Sequence, residues 1–138
     1  MATQFIRYQP NYATHPGEVL EAYLAAACMT KAELATRCGR PMKTISEIIH
    51  GKAAITPETA LQFERVLGYP AALWQNLETN YRLHLAQRSE EAALYKIADW
   101  AHRFPVKSMQ KLGWLELQRD DADLVKKLLR FFGVGSPR

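Results

Sequence analysis

The sequence predicts an all-α protein, a five-helix bundle followed by a helical C-terminal extension. Apolar residues recur at helical spacing along the chain, whereas β-branched residues never alternate over a useful length. Glycine, proline and short polar side chains then divide the chain into segments of helical length. With 138 residues, 48% of them hydrophobic and 23% charged, the chain is long enough to bury a core of its own.

The first two helices follow from their end signals. Residues 1–14 have no clear period and are expected to form an extended arm, after which Pro16 is a first-turn proline. Thr30 and Glu33 have the spacing of a capping box, which places the start of the second helix at Thr30. That helix is expected to end near Gly39, since glycine readily takes the left-handed conformation found after helix ends.

Three further helices complete the predicted bundle. They are expected at about residues 41–50, 56–68 and 70–88, each closed by glycine or by a polar stretch. The fifth helix carries an apolar stripe made of Leu73, Trp74, Leu77, Tyr81 and Leu85. Such a stripe suits either the core or a contact with a second subunit, and we assign it to a homodimer interface.

The C-terminal extension is expected to contain three more helices. The first runs from about residue 93 and ends before Pro105, the second covers residues 105–112, and the third begins at Asp120 or Asp121. A seam is expected near residues 87–90. The predicted domains are therefore residues 1–88 and residues 89–138.

The charge is modest and evenly spread. The net charge is +4 and the isoelectric point about 9.2, with nine Lys/Arg and seven Asp/Glu in each predicted domain. The basic excess is therefore not a tail, and it acts through local placement. Because no apolar run approaches the ~20 residues of a membrane span and the start lacks a signal region, a cytoplasmic protein without a membrane partner is expected.

The pattern of reactive side chains does not predict an enzyme. The four histidines lie far apart, and the two cysteines are ten residues apart rather than paired at zinc-ligand spacing. No catalytic residue, metal site or cofactor is expected, and Cys28 and Cys38 are interpreted as buried free thiols.

Residues 30–52 carry the most specific signal, a helix-turn-helix. A small residue, Ala35, stands where the helices cross, and Gly39 can make the turn four positions later. The inward positions of the two helices are apolar: Leu34, Cys38, Ile45 and Ile48. The opposite face of the second helix is polar: Met42, Lys43, Ser46, Glu47 and His50. This arrangement suits a helix that lies in the major groove of DNA.

The same residues resemble a known family. The pattern T-x-x-E-L-A-x-x-x-G…I-S-x-I-x-x-G-K resembles the Xre class, which shares the lambda-repressor-like helix-turn-helix bundle. Together with "HPGEVLEAYL" and "LGYPAALWQNLETNYRLHLA", it is similar to HigA-type antitoxins over about residues 15–87. This resemblance implies a dimeric antitoxin that binds double-stranded operator DNA, represses its own operon and neutralises a HigB-like toxin.

Site residues follow from their positions in the motif. Lys31 matches a phosphate-contacting position, Met42 and Lys43 match positions that reach base edges, and Ser46 and Glu47 follow one turn later. His50 and Lys52 suit phosphate, while Arg40 and Thr44 are weaker candidates. Lys43 can donate to guanine and Glu47 can accept from cytosine. Solvated surface charges for the lysines and Glu47, and packing for Met42, remain alternatives.

Other functions also remain open. Residues 105–137 resemble a segment that precedes a zinc-metallopeptidase-like domain in longer relatives, although no H-E-x-x-H motif occurs in the chain. The alternatives are a general Xre-type transcriptional regulator without a toxin, the N-terminal regulatory part of a longer DNA-binding metallopeptidase-type protein, and a helical interaction module that has lost DNA binding.

Overall fold

The computed structural model describes residues 13–137, and the described chain is helical without any strand. The all-α prediction is confirmed. Residues 1–12 of the expected N-terminal arm lie outside the described residues. In chain order the helices are α1 (Pro16–Ala26), α2 (Lys31–Cys38), α3 (Met42–Ile49), α4 (Pro57–Leu67), α5 (Ala71–Tyr95), α6 (Ala98–Ala101), α7 (Val106–Lys111) and α8 (Asp121–Phe132).

The described residues divide into two compact units. Unit 1 comprises the residues up to His84 and unit 2 those from Leu85 onwards, so the division falls inside α5. The fifth helix is predicted to end at about residue 88, and this prediction is wrong because α5 continues to Tyr95. The polar run "QRSEE" contains neither glycine nor proline, and four of its five residues are good helix formers. The predicted sixth helix is correspondingly shortened to Ala98–Ala101.

Unit 1 has one apolar core to which each of its helices contributes. Leu20 of α1, Phe63 of α4 and Trp74 of α5 have no solvent-exposed surface. The core also takes the inward side chains of α2 and α3 that the sequence predicts, namely Leu34, Cys38, Ile45 and Ile48. Burying this apolar face is what holds α2 and α3 in place, since helices of eight residues are not stable alone in water.

The start of α1 packs closely against the end of α3. A Cβ atom added at Gly17 would lie 2.2 Å from the carbonyl oxygen of Ile49, so only glycine fits there. His15 caps α1, since its Nδ1 accepts a hydrogen bond from the Gly17 amide at 3.0 Å. The imidazole also packs edge-on against Tyr81, with 4.7 Å between ring centroids. One glycine and one histidine thus fix α1 beside the C-terminal end of α3.

Unit 2 has a separate apolar core. Its centre is the inward face of α8, where Leu124, Val125 and Leu128 are almost completely buried. Ala101 of α6 and Met109 of α7 pack into the same core. Asp120 caps α8 by accepting a hydrogen bond from the Asp123 amide at 2.9 Å, as the sequence predicts.

The two cysteines differ in their surroundings. Cys38 is buried in the core of unit 1, as expected, but Cys28 is exposed just after α1, so the prediction of a second buried thiol is wrong. Cys28 has a φ of +52°, which places it in the left-handed turn that ends α1. The polypeptide leaves the core at this turn, and the side chain therefore points into solvent.

Candidate nucleic-acid interface

The connection between α2 and α3 is a three-residue turn. Gly39 has φ 64° and ψ 30°, the left-handed conformation expected of it. Its amide donates to the Thr36 carbonyl at 3.2 Å, and the Arg40 amide donates to the Ala35 carbonyl at 2.9 Å. This pair of hydrogen bonds is a Schellman motif, which closes α2 and turns the chain towards α3.

The entry to α2 is capped, whereas the entry to α3 is not. Thr30 Oγ1 accepts a hydrogen bond from the Glu33 amide at 3.1 Å, which confirms the predicted cap. The Glu33 carboxylate pairs with Arg37 instead of completing a capping box. No side chain caps the first turn of α3, where Pro41 occupies the cap position. The Thr44 amide donates to the Pro41 carbonyl at 3.0 Å, which leaves the Met42 and Lys43 amides of that turn for solvent or for an anion such as phosphate.

The outward face of α3 presents the predicted contact residues to solvent. Met42 is 48% exposed, and the Lys43 side chain is 85% exposed. Ser46 and Glu47 follow one turn later and are partly exposed, and His50 is exposed where the helix ends. The opposite face of α3 is buried. The helix therefore offers one polar surface about two turns long.

Two interactions organise this outward face. The Lys43 ammonium lies 3.9 Å from a Glu47 carboxylate oxygen, one helical turn away. His50 Nδ1 lies 2.7 Å from the Ser46 carbonyl oxygen, and since a carbonyl only accepts, Nδ1 is the donor. His50 Nε2 remains to face a ligand. The Lys43–Glu47 pair is exposed and weak, so either group can leave it for another partner.

Three predicted contact residues flank α3, and two of them have partners within the protein. The Lys31 ammonium is 3.1 Å from Glu21 of α1, and Arg40 Nε donates to the Gln62 amide oxygen of α4 at 2.8 Å. Lys52 is exposed and forms no ion pair with any residue that the structure describes. Sequence reasoning missed Glu21 and Gln62, because partners 10 and 22 positions away leave no periodic signal.

The buried side of the turn is chemically inert. Burial raises the pKa of the Cys38 thiol, and the nearby Arg40 guanidinium offsets this only in part. A thiol with a raised pKa is a poor nucleophile, which fits a packing role.

Among residues 13–137, no group of three His, Cys, Asp or Glu side chains is arranged to hold a metal ion. No helix in the described part of the chain is long and apolar enough to cross a membrane.

The predicted dimer stripe on α5 is divided by the fold. Trp74 is fully buried against Tyr23 and Phe63 of its own chain, so its assignment to a dimer interface is wrong. Its large indole fills the centre of the unit 1 core instead. Leu73, Leu77 and Tyr81 are partly buried, and Leu85 is 39% exposed. These four residues remain a prediction for a dimer contact.

Comparison with known proteins places the helix-turn-helix in a family. The family model described as "Helix-turn-helix", HTH_3, matches residues 20–74, which include α2 and α3. The chain is 35% identical over 81 residues to virulence-associated protein I of Dichelobacter nodosus, covering 58% of this chain and 75% of that protein.

Solved structures agree with this match. An addiction module antidote protein of a HigA family from Coxiella burnetii superposes with a TM-score of 0.54 at 28% identity, covering 60% of this chain and 91% of that one. Pseudomonas aeruginosa antitoxin HigA, solved with the higBA promoter, gives a TM-score of 0.54 at 26% identity, with 56% and 86% coverage. The chain therefore belongs to the HTH_3, or Xre-type, family of helix-turn-helix proteins and is similar in structure to HigA-type antitoxins.

Proposed function

We propose that the protein is a sequence-specific DNA-binding antitoxin and the transcriptional autorepressor of a HigBA-like toxin–antitoxin module. The observation that carries this proposal is α3, a short helix with a buried apolar face and an exposed polar face, held by a Gly39 turn. That arrangement is what a recognition helix needs. The likeness to a HigA antitoxin solved with its own promoter supports the same assignment.

In this proposal α3 lies in the major groove of operator DNA. Lys43, Ser46 and Glu47 face the base edges, where Lys43 donates to guanine and Glu47 accepts from cytosine. Both side chains must first leave their 3.9 Å ion pair, which is inexpensive at an exposed site. Met42 and Thr44 border the same surface at the start of the helix.

The phosphate contacts are proposed for the flanking cations. Lys31 is available once it leaves Glu21, and Lys52 is already unpaired among the described residues. Arg40 keeps its Nε bond to Gln62 while the terminal nitrogens of its guanidinium point to a phosphate. His50 is proposed as a further phosphate contact at the end of α3. These contacts orient the protein on DNA, and the residues of α3 supply sequence preference.

The protein is proposed to bind as a homodimer to a palindromic operator. One short helix reads only a few base pairs, and two-fold symmetry allows two helices to read two half-sites about 34 Å apart. Leu73, Leu77, Tyr81 and Leu85 are the residues that we propose for this dimer contact. The HigB-like toxin is proposed to bind away from the outward face of α3.

The DNA half of the proposal is tested by a binding titration. Fluorescence anisotropy should show that the chain prefers a duplex from upstream of its own gene to a shuffled duplex of equal composition. Specific affinity should also fall steeply with salt, because each neutralised phosphate adds about −0.9 to the logarithmic slope. Equal affinity for both duplexes would refute sequence-specific repression.

The toxin half needs a separate experiment. The gene next to this one should encode a small protein that stops growth when expressed alone and co-purifies with the chain when both are expressed. Growth arrest relieved by the chain would support the antitoxin. A chain that binds its promoter but neither binds the neighbouring product nor relieves arrest would instead be a general Xre-type regulator.

A further inference from the structure

The surface of unit 2 carries a continuous row of five aromatic rings. Ring centroids are 6.4 Å apart between Trp114 and Phe131, 5.1 Å between Phe131 and Phe132, 5.1 Å between Phe132 and Phe104, and 5.0 Å between Phe104 and Trp100. We call these five residues the aromatic ladder. They come from α6, α8 and the loops after α6 and α7, so the fold of unit 2 itself assembles the ladder.

Three rings of the ladder are open to solvent, while Trp100 and Phe104 are partly buried against the core of unit 2. Trp114 is 59% exposed, Phe131 45% and Phe132 44%, whereas the apolar residues behind them on α8 are buried. A monomeric protein seldom leaves neighbouring aromatic rings this exposed unless they bind something. Within unit 2, Trp114, Phe131 and Phe132 therefore form an exposed ridge, which Trp100 and Phe104 continue onto the core.

A cavity lies at each end of the ladder. The larger, of about 640 Å³, is lined by Trp100, Phe104 and Phe132 together with residues 134–137. The smaller, of about 350 Å³, is lined by two cations, one carboxylate and three apolar residues: Lys127, Arg130, Glu116, Trp114, Leu115 and Phe131. Each cavity has room for one or two bulky apolar side chains.

The border of the ladder along α8 is positively charged. Arg130 and Lys126 are exposed, and neither forms an ion pair with another residue that the structure describes. Lys127 in the same turn is paired with Asp123 at 3.0 Å. An acidic ligand would neutralise Arg130 and Lys126, while a basic ligand would be repelled.

We propose that the aromatic ladder is a docking site for an acidic, amphipathic peptide segment of a protein partner. The apolar side chains of this peptide would enter the two cavities, and the Asp or Glu side chains of the peptide would pair with Arg130 and Lys126. Aromatic anchors in pockets surrounded by charge are the usual basis of such binding. This site lies on unit 2, so it is additional to the proposed function of the α3 face.

Two other occupants fit the surface less well. A second copy related by two-fold symmetry would bring the same Lys126 and Arg130 into the interface and add like charges. Single-stranded nucleic acid favours ring faces on which successive bases stack. Trp114 and Phe131 are nearly parallel, at 18°, but the planes lie at 82° between Phe131 and Phe132 and at 72° between Trp100 and Phe104, so no stacking face extends along the ladder.

Selection from a random 16-residue peptide library tests the proposal on the full chain. The variants are a double ladder change, Trp114→Ser with Phe131→Ser, and a charge reversal, Arg130→Glu. Leu117→Ser and Lys96→Glu are the matched controls, since both residues are exposed on unit 2 outside the ladder and its charged border. Circular dichroism checks that each variant is folded, which is expected because the substituted side chains lie outside the core of unit 2.

The expected peptides combine two apolar residues at helical spacing with several Asp or Glu. Synthesised and labelled, they should bind the ladder variant and Arg130→Glu on the order of tenfold more weakly than the controls. The proposal is overturned if no peptide is enriched, if the enriched peptides are basic, or if they bind the ladder variant as well as wild type. Ladder-dependent binding of a single-stranded 20-nucleotide probe, or a ladder-dependent dimer in sedimentation, would also overturn it by identifying a different occupant.

Discussion

The two units bury similar cores but expose different surfaces. Unit 1 directs a polar helix face outward from a buried row of isoleucines, and its exposed charges belong to a recognised motif. Unit 2 exposes aromatic rings beside Arg130 and Lys126 of α8, which pair with no acidic residue in the described part of the chain. The family model ends before unit 2, at residue 74. The difference indicates that one chain combines a surface suited to nucleic acid with a second surface suited to a protein.

The largest expected effect is a loss of folding stability in unit 1 that unit 2 does not share. Gly17→Ala places a methyl group against the Ile49 carbonyl, which must move, so unit 1 should lose about 3 kcal/mol or more. Gly135→Ala in unit 2 is the control, since nothing lies within 4 Å of its added Cβ. Urea unfolding with hydrogen exchange measured for each unit checks this. An unchanged unfolding midpoint for Gly17→Ala would show that the α1–α3 approach is not tight.

A smaller effect concerns base preference on the α3 face. Lys43→Ala should lower the binding preference for one base pair at one operator position by about 1–3 kcal/mol, because the donor to guanine is lost. Lys52→Ala, a change of a proposed phosphate contact, should weaken all sequences about equally. Selection of binding sites from random duplexes measures both. Identical consensus sites for wild type and Lys43→Ala would exclude base reading by Lys43.

Changes to the two partners of the Lys31–Glu21 ion pair should have opposite effects on DNA binding. Lys31→Ala should reduce the salt dependence of DNA binding by about one phosphate equivalent. Glu21→Gln should strengthen binding by up to about fivefold, because it frees Lys31 and removes a negative charge. Lys96→Ala in unit 2 is the charge-matched control and should leave the salt slope unchanged. If Glu21→Gln weakened binding, Lys31 would not be a phosphate contact.

The smallest effect is the response of unit 2 to acid. The hydrogen bond from the Asp123 amide and one with Tyr95 lower the pKa of the Asp120 carboxyl. A lowered pKa contributes stability above the unfolded value of about 4, and this contribution is lost as the pH falls through the folded value. Asp120→Asn keeps the cap but loses this titration, so the stability of unit 2 should fall less between pH 5 and pH 2. Equal losses in wild type and variant would contradict the assignment.

Local signals made unit 1 predictable from the sequence. The positions of Thr30, Gly39 and the apolar residues of α2 and α3 are set by caps, turns and helical spacing within 20 residues, and the structure confirms them. The partners of the candidate contact residues were not predictable, since Glu21 and Gln62 meet Lys31 and Arg40 only after folding.

The aromatic ladder of unit 2 could not be predicted from the sequence, because residues far apart in the chain form it. The ladder joins residues 100, 104, 114, 131 and 132, which share no period, so only the fold brings their rings together. Continuous α5 was also missed, because a polar run resembles a linker even when its residues favour a helix. Trp74 belongs to a stripe on α5 whose spacing suits either the core or an interface. Its contact with Phe63 places it in the core.

Amide chemical shifts of the ¹⁵N-labelled chain, recorded during titration with the duplex from upstream of its gene, test the central claim most directly. The account predicts that the largest changes fall in the uncapped first turn of α3, at Met42, Lys43 and Thr44, and extend to Lys52. Amides of α8 should change little. Large changes confined to unit 2, or none along α3 at saturating DNA, would contradict the assignment of α3 as the DNA-reading helix.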